Sequence, residues 1–550
     1  MILNEGSKMA KVKTRCIFCS MQDCFYLQET PRSEKAAWGP ESVYYLDFDE
    51  NQTRGLCGRG NFCGELAVHR DRKFTSRIGC DQHPHEKVAE DLGAKLKGLS
   101  GERIAFLLDA SLTLEDAAAV IALAEKLGSR KVALLPVEDT ALGTINNNFK
   151  FDDIAKAITN IVIGDAFTQS PTITRLVHDA KMLGRNHTIV GIDPIKSRTG
   201  WFAHPELTPQ TGKTVQLIEA LVEALKGKPI DELPLDKIGV TADNFGWAVS
   251  SIKGAEGNGN VIFAPGWHFD DPFAVAVAAQ KLAEAAGFKF GALTIGSNSR
   301  GIFRLIASAG MDYAGAIESL YKGNLDAVVA FDCDPMSALP GIKRPEIFAM
   351  TGQLDTEGYS MTTHFLATSF MFEKIGTIFG TENDFIELTE PMKEPGVYCV
   401  NGLIDIIAGE NISLPSNLRS IVADYNHGSE SPIKNAPAAG SQVIGVGHGH
   451  VFHHSDGRYT RHLDFSAVHV PEDANSALIS PELAETIGLK KGDKIRVSSG
   501  IASAELGIIL QNWVDSDKVL LPMHWTAARE LFDFSKNPTA APIEIKIEKA

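Results

Sequence analysis

"RIAFLLDASLTLEDAAAVIALAEKLGSRKVALLPV", Arg103 to Val137, decides the fold class. Arg103 to Ala110 is a short apolar run, as expected of a strand buried on both faces. Thr113 follows as an N-cap, with Glu115 and Asp116 in the first helical turn, and Gly128 stops the helix. Lys131 to Val137 returns as a strand. Strand, helix and strand in so short a span make a βα unit feeding a parallel sheet.

The same alternation continues outward. "NIVIGD" (Asn160–Asp165) and "HTIVGID" (His187–Asp193) read as strands, with a helix from Ser170-Pro171 to Gly184 between them. "NVIFAPG" from Asn260, a helix start at Asp271-Pro272, "FGALTIG" from Phe290, "LDAVVAFD" from Leu325 and "EIFAMTG" from Glu346 repeat the theme. Two parallel sheets with helices on both faces are expected. Beyond about Asn435 helix signals fade, and "KIRVSSGIASAELGIILQ" (Lys494–Gln511) reads as paired strands of a β-barrel. "NHGSESPIKNAPAAGSQ" (Asn426–Gln442) has linker composition. The expected division is a small N-terminal domain over 1–100, α/β domains over 101–255 and 256–432, and a C-terminal barrel over 433–550. Ligands of open sheets bind beyond the carboxyl ends of the strands, so "GDAFTQSP", beginning at Gly164 and Asp165, and "DPIKSRTG", beginning at Asp193, are either nucleotide contacts or plain structural turns. No G-x-G-x-x-G follows the first strand and no G-x-x-x-x-G-K-[ST] occurs, which leaves NAD or ATP bound in the usual way unsupported.

A chain of 550 residues exceeds one hydrophobic core. No apolar run reaches the roughly 18 residues of a membrane-spanning helix. The N-terminus has no apolar signal region, whether translation starts at Met1 or Met9, so a cytoplasmic location is expected. The net charge of −16 disfavours nucleic acid or an anionic membrane as partner.

Six of the eight cysteines lie between Cys16 and Cys80. In a reducing compartment such a cluster points to metal or redox chemistry before disulfides. Cys16, Cys19, Cys24 and Cys57 are spaced C-x2-C-x4-C-x32-C. Four thiolates suit a tetrahedral zinc or a [4Fe–4S] cube, and three close cysteines with one remote favour the cube. Cys63 and Cys80 are surplus: one is a substitute for Cys57, or both are buried thiols. Cys333 and Cys399 read as core thiols.

Taken in order, six segments resemble the molybdopterin (molybdenum or tungsten bis-guanine-dinucleotide) oxidoreductases, a family that includes formate dehydrogenases and the large iron–sulfur subunit of NADH:quinone oxidoreductase. "LCGRGNF" resembles the fourth cluster ligand and its following turn, with Arg59 between cluster and pterin. "IVIGDAFTQSPTITRLVHDAKMLG" with "IVGIDPIKSRTG" is similar to the first nucleotide-binding stretch, implicating Asp193, Arg198 and Thr199. "LDAVVAFDCDP" and "FEKIGT" (Phe372–Thr377) resemble the pseudo-repeated half. "VGHGHVFHHSDGRYTRH" resembles the segment that opens the C-terminal domain against the pterins, implicating Gly447, His448, Thr460 and Arg461. "ISPELAETIGLKKGDKIRVSSG" with "VLLPMHW" is similar to the dinucleotide-binding barrel. The resemblance implies a [4Fe–4S] cluster near the surface and a molybdopterin guanine dinucleotide beneath it.

Several positions depart from that pattern. One residue is inserted before Cys24. No cysteine follows "KVALLPV", where formate dehydrogenases place their metal-binding residue; Glu138 or Asp139 stands there as a carboxylate ligand to the metal or as a solvated loop acid. The family's P-G-T-D turn has become "PQTG" (Pro209–Gly212), its A-D-x-x-L-P run "THFLAT" (Thr363–Thr368), and "FDCDP" lacks a glycine. His448, His450, His453, His454 and His462 crowd one stretch without a zinc-binding spacing, and packing against an anionic cofactor accounts for them as well as ligation does. The expected function is an electron-transferring subunit working with other iron–sulfur or flavin subunits. A catalytic formate dehydrogenase-like enzyme is the alternative, and a zinc-stapled α/β protein the more distant one.

Overall fold

The computed structural model describes residues 11–31, 42–48, 55–389, 396–425, 443–463 and 475–550. Met1, Met9 and the linker Asn426–Gln442 lie outside the described residues.

The opening strand Ile104–Asp109 pairs in parallel with Lys131–Leu135 on one side and Ala327–Phe331 on the other. Ile347–Gly352 and His364–Ala367 continue the parallel sheet, and the hairpin Ser76–Ile78 and Asp81–His83 closes its edge antiparallel. The helix between the first two strands, Leu114–Lys126, starts on a capping box of Thr113 and Asp116, as its sequence predicts.

A second sheet is wholly parallel, in the order Glu206–Leu207, Thr188–Ile192, Thr159–Ile163, Gly259–Phe263, Lys289–Ala292. Every strand of it comes from the stretch between Lys131–Leu135 and Ala327–Phe331 of the first sheet. The strand pairing therefore cuts across the expected division at 255/256: one α/β unit is inserted into the other. Apolar periodicity identifies a buried strand but carries no information about its neighbour, because a parallel crossover can leave one sheet and return later.

Both strand orders reverse internally. The reversal falls between Thr159–Ile163 and Gly259–Phe263 in one sheet, and between Ile104–Asp109 and Ala327–Phe331 in the other. At such points the loops leave in opposite directions and open a crevice at the carboxyl edge.

The C-terminal sheet has seven strands. Lys494–Ser498 and Ser503–Leu510 form the hairpin expected there, in register from Ser498 opposite Ser503. Ile543–Glu544 and Lys546–Lys549 are adjacent in sequence but sit at opposite edges, which wraps the sheet into a nearly closed, barrel-like form. At the N-terminus, Lys11–Arg15, Cys24–Pro31 and Ser42–Phe48 make a small antiparallel sheet. Phe25, Leu27 and Leu66 of this region share a core with Phe370, Phe372 and Tyr459, which seats it over the two later segments. Among the described residues no helix is long and apolar enough to cross a membrane.

Candidate functional site

The N-terminal thiols occupy a tight knuckle. The Cys16 amide donates to the Asp23 carbonyl at 2.9 Å, the Gln22 amide to the Cys19 carbonyl at 3.1 Å, and Gln22 takes a left-handed φ of +48° to close the turn. Cys24 begins the return strand opposite Arg15, and Cys16, Cys19 and Cys24 are all buried. Cys57 caps the short helix Gly58–Phe62, which packs against the Cys16 sulfur at Gly60. Cys63, at the end of that helix, is fully buried and hydrogen-bonds with Cys16, which raises the Cys16 thiol; burial adds to the rise. Burial pushes Cys19 up to about 12 and also raises Cys57, and the Arg59 cation beside both opposes the shift. Cys80 is exposed, contrary to its expected burial, because it sits on the turn of the edge hairpin.

Arg59 is 2% exposed. Its guanidinium donates to the carbonyls of Gln169 at 2.7 Å and His453 at 3.1 Å, and Nε has no partner. These carbonyls belong to the wall of a cleft completed by Trp267, His450 and His524. A second cleft shares His454 and Ser455 with it and reaches Asp109, Ser111 and Pro136. A third shares Arg458 and Tyr459 with the second and reaches Asp332 and Asp334. The clefts thus run along the carboxyl edges of both parallel sheets, at the two points of reversal. The 449–459 stretch crosses them, and Arg458 forms a buried ion pair with Asp109.

Several buried polar atoms have no partner among the described residues: Arg59 Nε and both ring nitrogens of His524, whose residues line the first cleft, and Asp193 Oδ2, His448 Nδ1 and Glu138 Oε2. Each such atom costs about 1–3 kcal/mol when left unsatisfied, and a polar ligand would satisfy those on the cleft wall. Burial pushes His448, His453 and His454 down to about 3, so these rings are neutral at pH 7.

Residues 447–542 match the molydopterin dinucleotide binding domain. The fold as a whole is similar to that of acetylene hydratase from Pelobacter acetylenicus, with a TM-score of 0.69 and 11% identity over 96% of each chain. No curated protein matches. The molydopterin dinucleotide binding stretch holds Gly447, His448, Thr460 and Arg461. Gly447 packs so closely on Trp267 and Met523 that a side chain there has no room. Thr460 accepts from the His454 amide at 3.2 Å and shapes the crossing loop. Arg461 pairs with Glu357 at 3.0 Å.

The positions expected to contact a nucleotide separate. Asp193 holds His268 at 3.2 Å and leaves one oxygen bare. Asp165 is spent on Thr199, accepting from its amide and its hydroxyl at 3.1 Å each, and so locks two loops together. Gly164 has φ +86° and lies against the Ala264 carbonyl. Arg198 is exposed.

Neither acid after "KVALLPV" is solvated. Glu138 accepts from Trp267 Nε1 at 3.0 Å and Arg529 Nη2 at 3.3 Å. Asp139 accepts from the amides of Ile295 and Gly296 at 2.8 Å each and from Ser299; burial pushes it up to about 7 against those bonds. Both are buried because the loop is covered by 267 and 295–299, segments distant in sequence. Asp109, Arg458 and His524 were not singled out by sequence. "VLLPMHW" did contain His524, but nothing in its local pattern marks that ring as buried and unpartnered.

Proposed function

We propose that this chain is a molybdopterin-family redox subunit. Cys16, Cys19, Cys24 and Cys57 hold a [4Fe–4S] cluster, and the clefts receive a molybdopterin guanine dinucleotide through Asp193, His448, His524 and the 447–461 stretch. The observation that carries the reading is Arg59: one enclosed guanidinium lies beside the thiols and forms hydrogen bonds to the wall of the cleft. Such a cluster supplies one-electron transfer, and a pterin-held molybdenum or tungsten supplies two-electron chemistry.

The protein's own contributions follow from the site. Burial keeps water from the thiols, and Arg59 offsets anionic sulfur. The donor set fits a cluster, because soft thiolates bind iron–sulfur cages. Cys63 is the structural competitor for the fourth position, against Cys16.

A conducting subunit is favoured over a formate dehydrogenase-like enzyme. The loop after Lys131–Leu135 has no thiol, and both Asp139 oxygens already accept bonds from protein donors, while Glu138 is held through Oε1 alone. The subunit then works with flavin or other iron–sulfur partners in the cytoplasm. Metal analysis and dye-reduction assays of anaerobically purified protein test this: iron without formate-dependent dye reduction supports the conducting reading, whereas stoichiometric molybdenum or tungsten with formate-dependent dye reduction replaces it by the catalytic one.

A further inference from the structure

The crowded histidines do not all serve the clefts. His462 lies against His69 and Asp71, on the connector that leaves the thiol region. We propose that His69, Asp71 and His462 bind one divalent transition ion, zinc foremost, which clamps residues 63–72 to the stretch that crosses the clefts.

The donor atoms already converge. His462 Nδ1 lies 3.2 Å and His69 Nδ1 3.5 Å from the same oxygen, Asp71 Oδ2. All three ligand atoms fall within 4.8 Å of one another. Ligands about 2.0–2.1 Å from a tetrahedral zinc stand roughly 3.3 Å apart, so two of the three edges are close to their bound lengths.

The Asp71 amide also approaches His69 Nδ1, at 3.2 Å, so on binding this nitrogen exchanges that hydrogen bond for the ion. The two imidazoles are edge-on, 5.2 Å between centroids, so both can turn a nitrogen to one centre. Asp71 is 37% exposed, giving the ion an entry path and room for water in the open position. Two imidazoles and a carboxylate form a borderline N/O set, suited to zinc rather than to calcium or magnesium.

The site is independent of what the clefts bind. The connector bears Arg72, whose ion pair with Glu373 is buried, and His462 lies two residues beyond Thr460. An ion here joins segments 391 residues apart in sequence.

Full-length protein prepared without oxygen, with its iron retained, is equilibrated with zinc, desalted and assayed for metal beside the variants Asp71→Asn and His462→Gln. The expected result is a zinc ion per chain in the parent and none in either variant, with iron unchanged in all three. Zinc X-ray absorption of the parent is expected to show a nitrogen and oxygen shell. Equal zinc in parent and variants overturns the site, as does a sulfur shell. If a variant fails to fold and loses its iron, the absorption spectrum of the parent decides alone.

Discussion

The Arg59 guanidinium is enclosed, and its hydrogen bonds go to carbonyl oxygens rather than to a carboxylate. A buried cation without an opposing charge is costly, and under the proposed function the thiolates of a bound cluster would answer that cost. Arg59→Met removes charge-assisted hydrogen bonds to Gln169, His453 and, at 3.4 Å, Thr168, such bonds being worth about 1.5–3 kcal/mol each; urea unfolding of the variant is expected to show a loss of at least about 3 kcal/mol, and iron content is expected to fall with it. In cluster-free protein at pH 8, burial keeps Cys19, pushed up to about 12, and the raised Cys16 and Cys57 as protonated thiols. Iodoacetamide is then expected to label exposed Cys80 first, as peptide mass spectrometry can check; preferential labelling of Cys16 or Cys19 contradicts the burial described. The cysteines proposed as ligands stand out in sequence because they cluster in a short span, and Arg59 is pointed to by the resemblance of its turn. The contact of Cys63 with Cys16 was not legible there, since it depends on the pitch of the small helix between Cys57 and Cys63.

Among the elements, the turn "FEKIGT" shows what a motif can do structurally. Glu373 pairs with Arg72 at 2.9 Å, Lys374 with Asp116 at 2.9 Å and Asp332 at 3.4 Å, and Thr377 donates to Glu115. The turn thereby joins the N-terminal connector, the helix Leu114–Lys126 and the end of Ala327–Phe331. Lys374→Met strands two buried carboxylates, and denaturation is expected to show a loss of about 3–5 kcal/mol. Gly164 ends a strand at φ +86°, and a Cβ there meets the Ala264 carbonyl and, at 3.1 Å, the Phe269 ring. Gly164→Val is expected to lower thermal stability by at least about 2 kcal/mol equivalent, through strain at the turn beside the cleft. Strands and helix caps were legible because periodicity and capping are local. "THFLAT", read only as a departure from a family motif, is an interior strand: His364–Ala367 lies between Ile347–Gly352 and Ser76–Ile78.

For the whole molecule, the clefts are made where the two parallel sheets and the molydopterin dinucleotide binding stretch meet, so cofactor-free protein carries much unsatisfied polar surface at that junction. His448, His453 and His454 sit at about 3 when folded and titrate near 6.5 when unfolded. The unfolded chain takes up protons first as pH falls, so stability is unaffected above about 7 and declines from about 6.5 towards 3. At pH 5.5 the three together are expected to cost about 3 kcal/mol after allowance for partial exposure, measurable as a lower urea midpoint than at pH 7.5. The insertion of one α/β unit into the other was hidden from the sequence, because alternation predicts layers but not which strand lies beside which. The most direct test of the account is electron paramagnetic resonance of anaerobically purified protein reduced with dithionite. The account expects the signal of a reduced [4Fe–4S] cluster, abolished in Cys19→Ser; a colourless, signal-free preparation containing zinc in place of iron contradicts it.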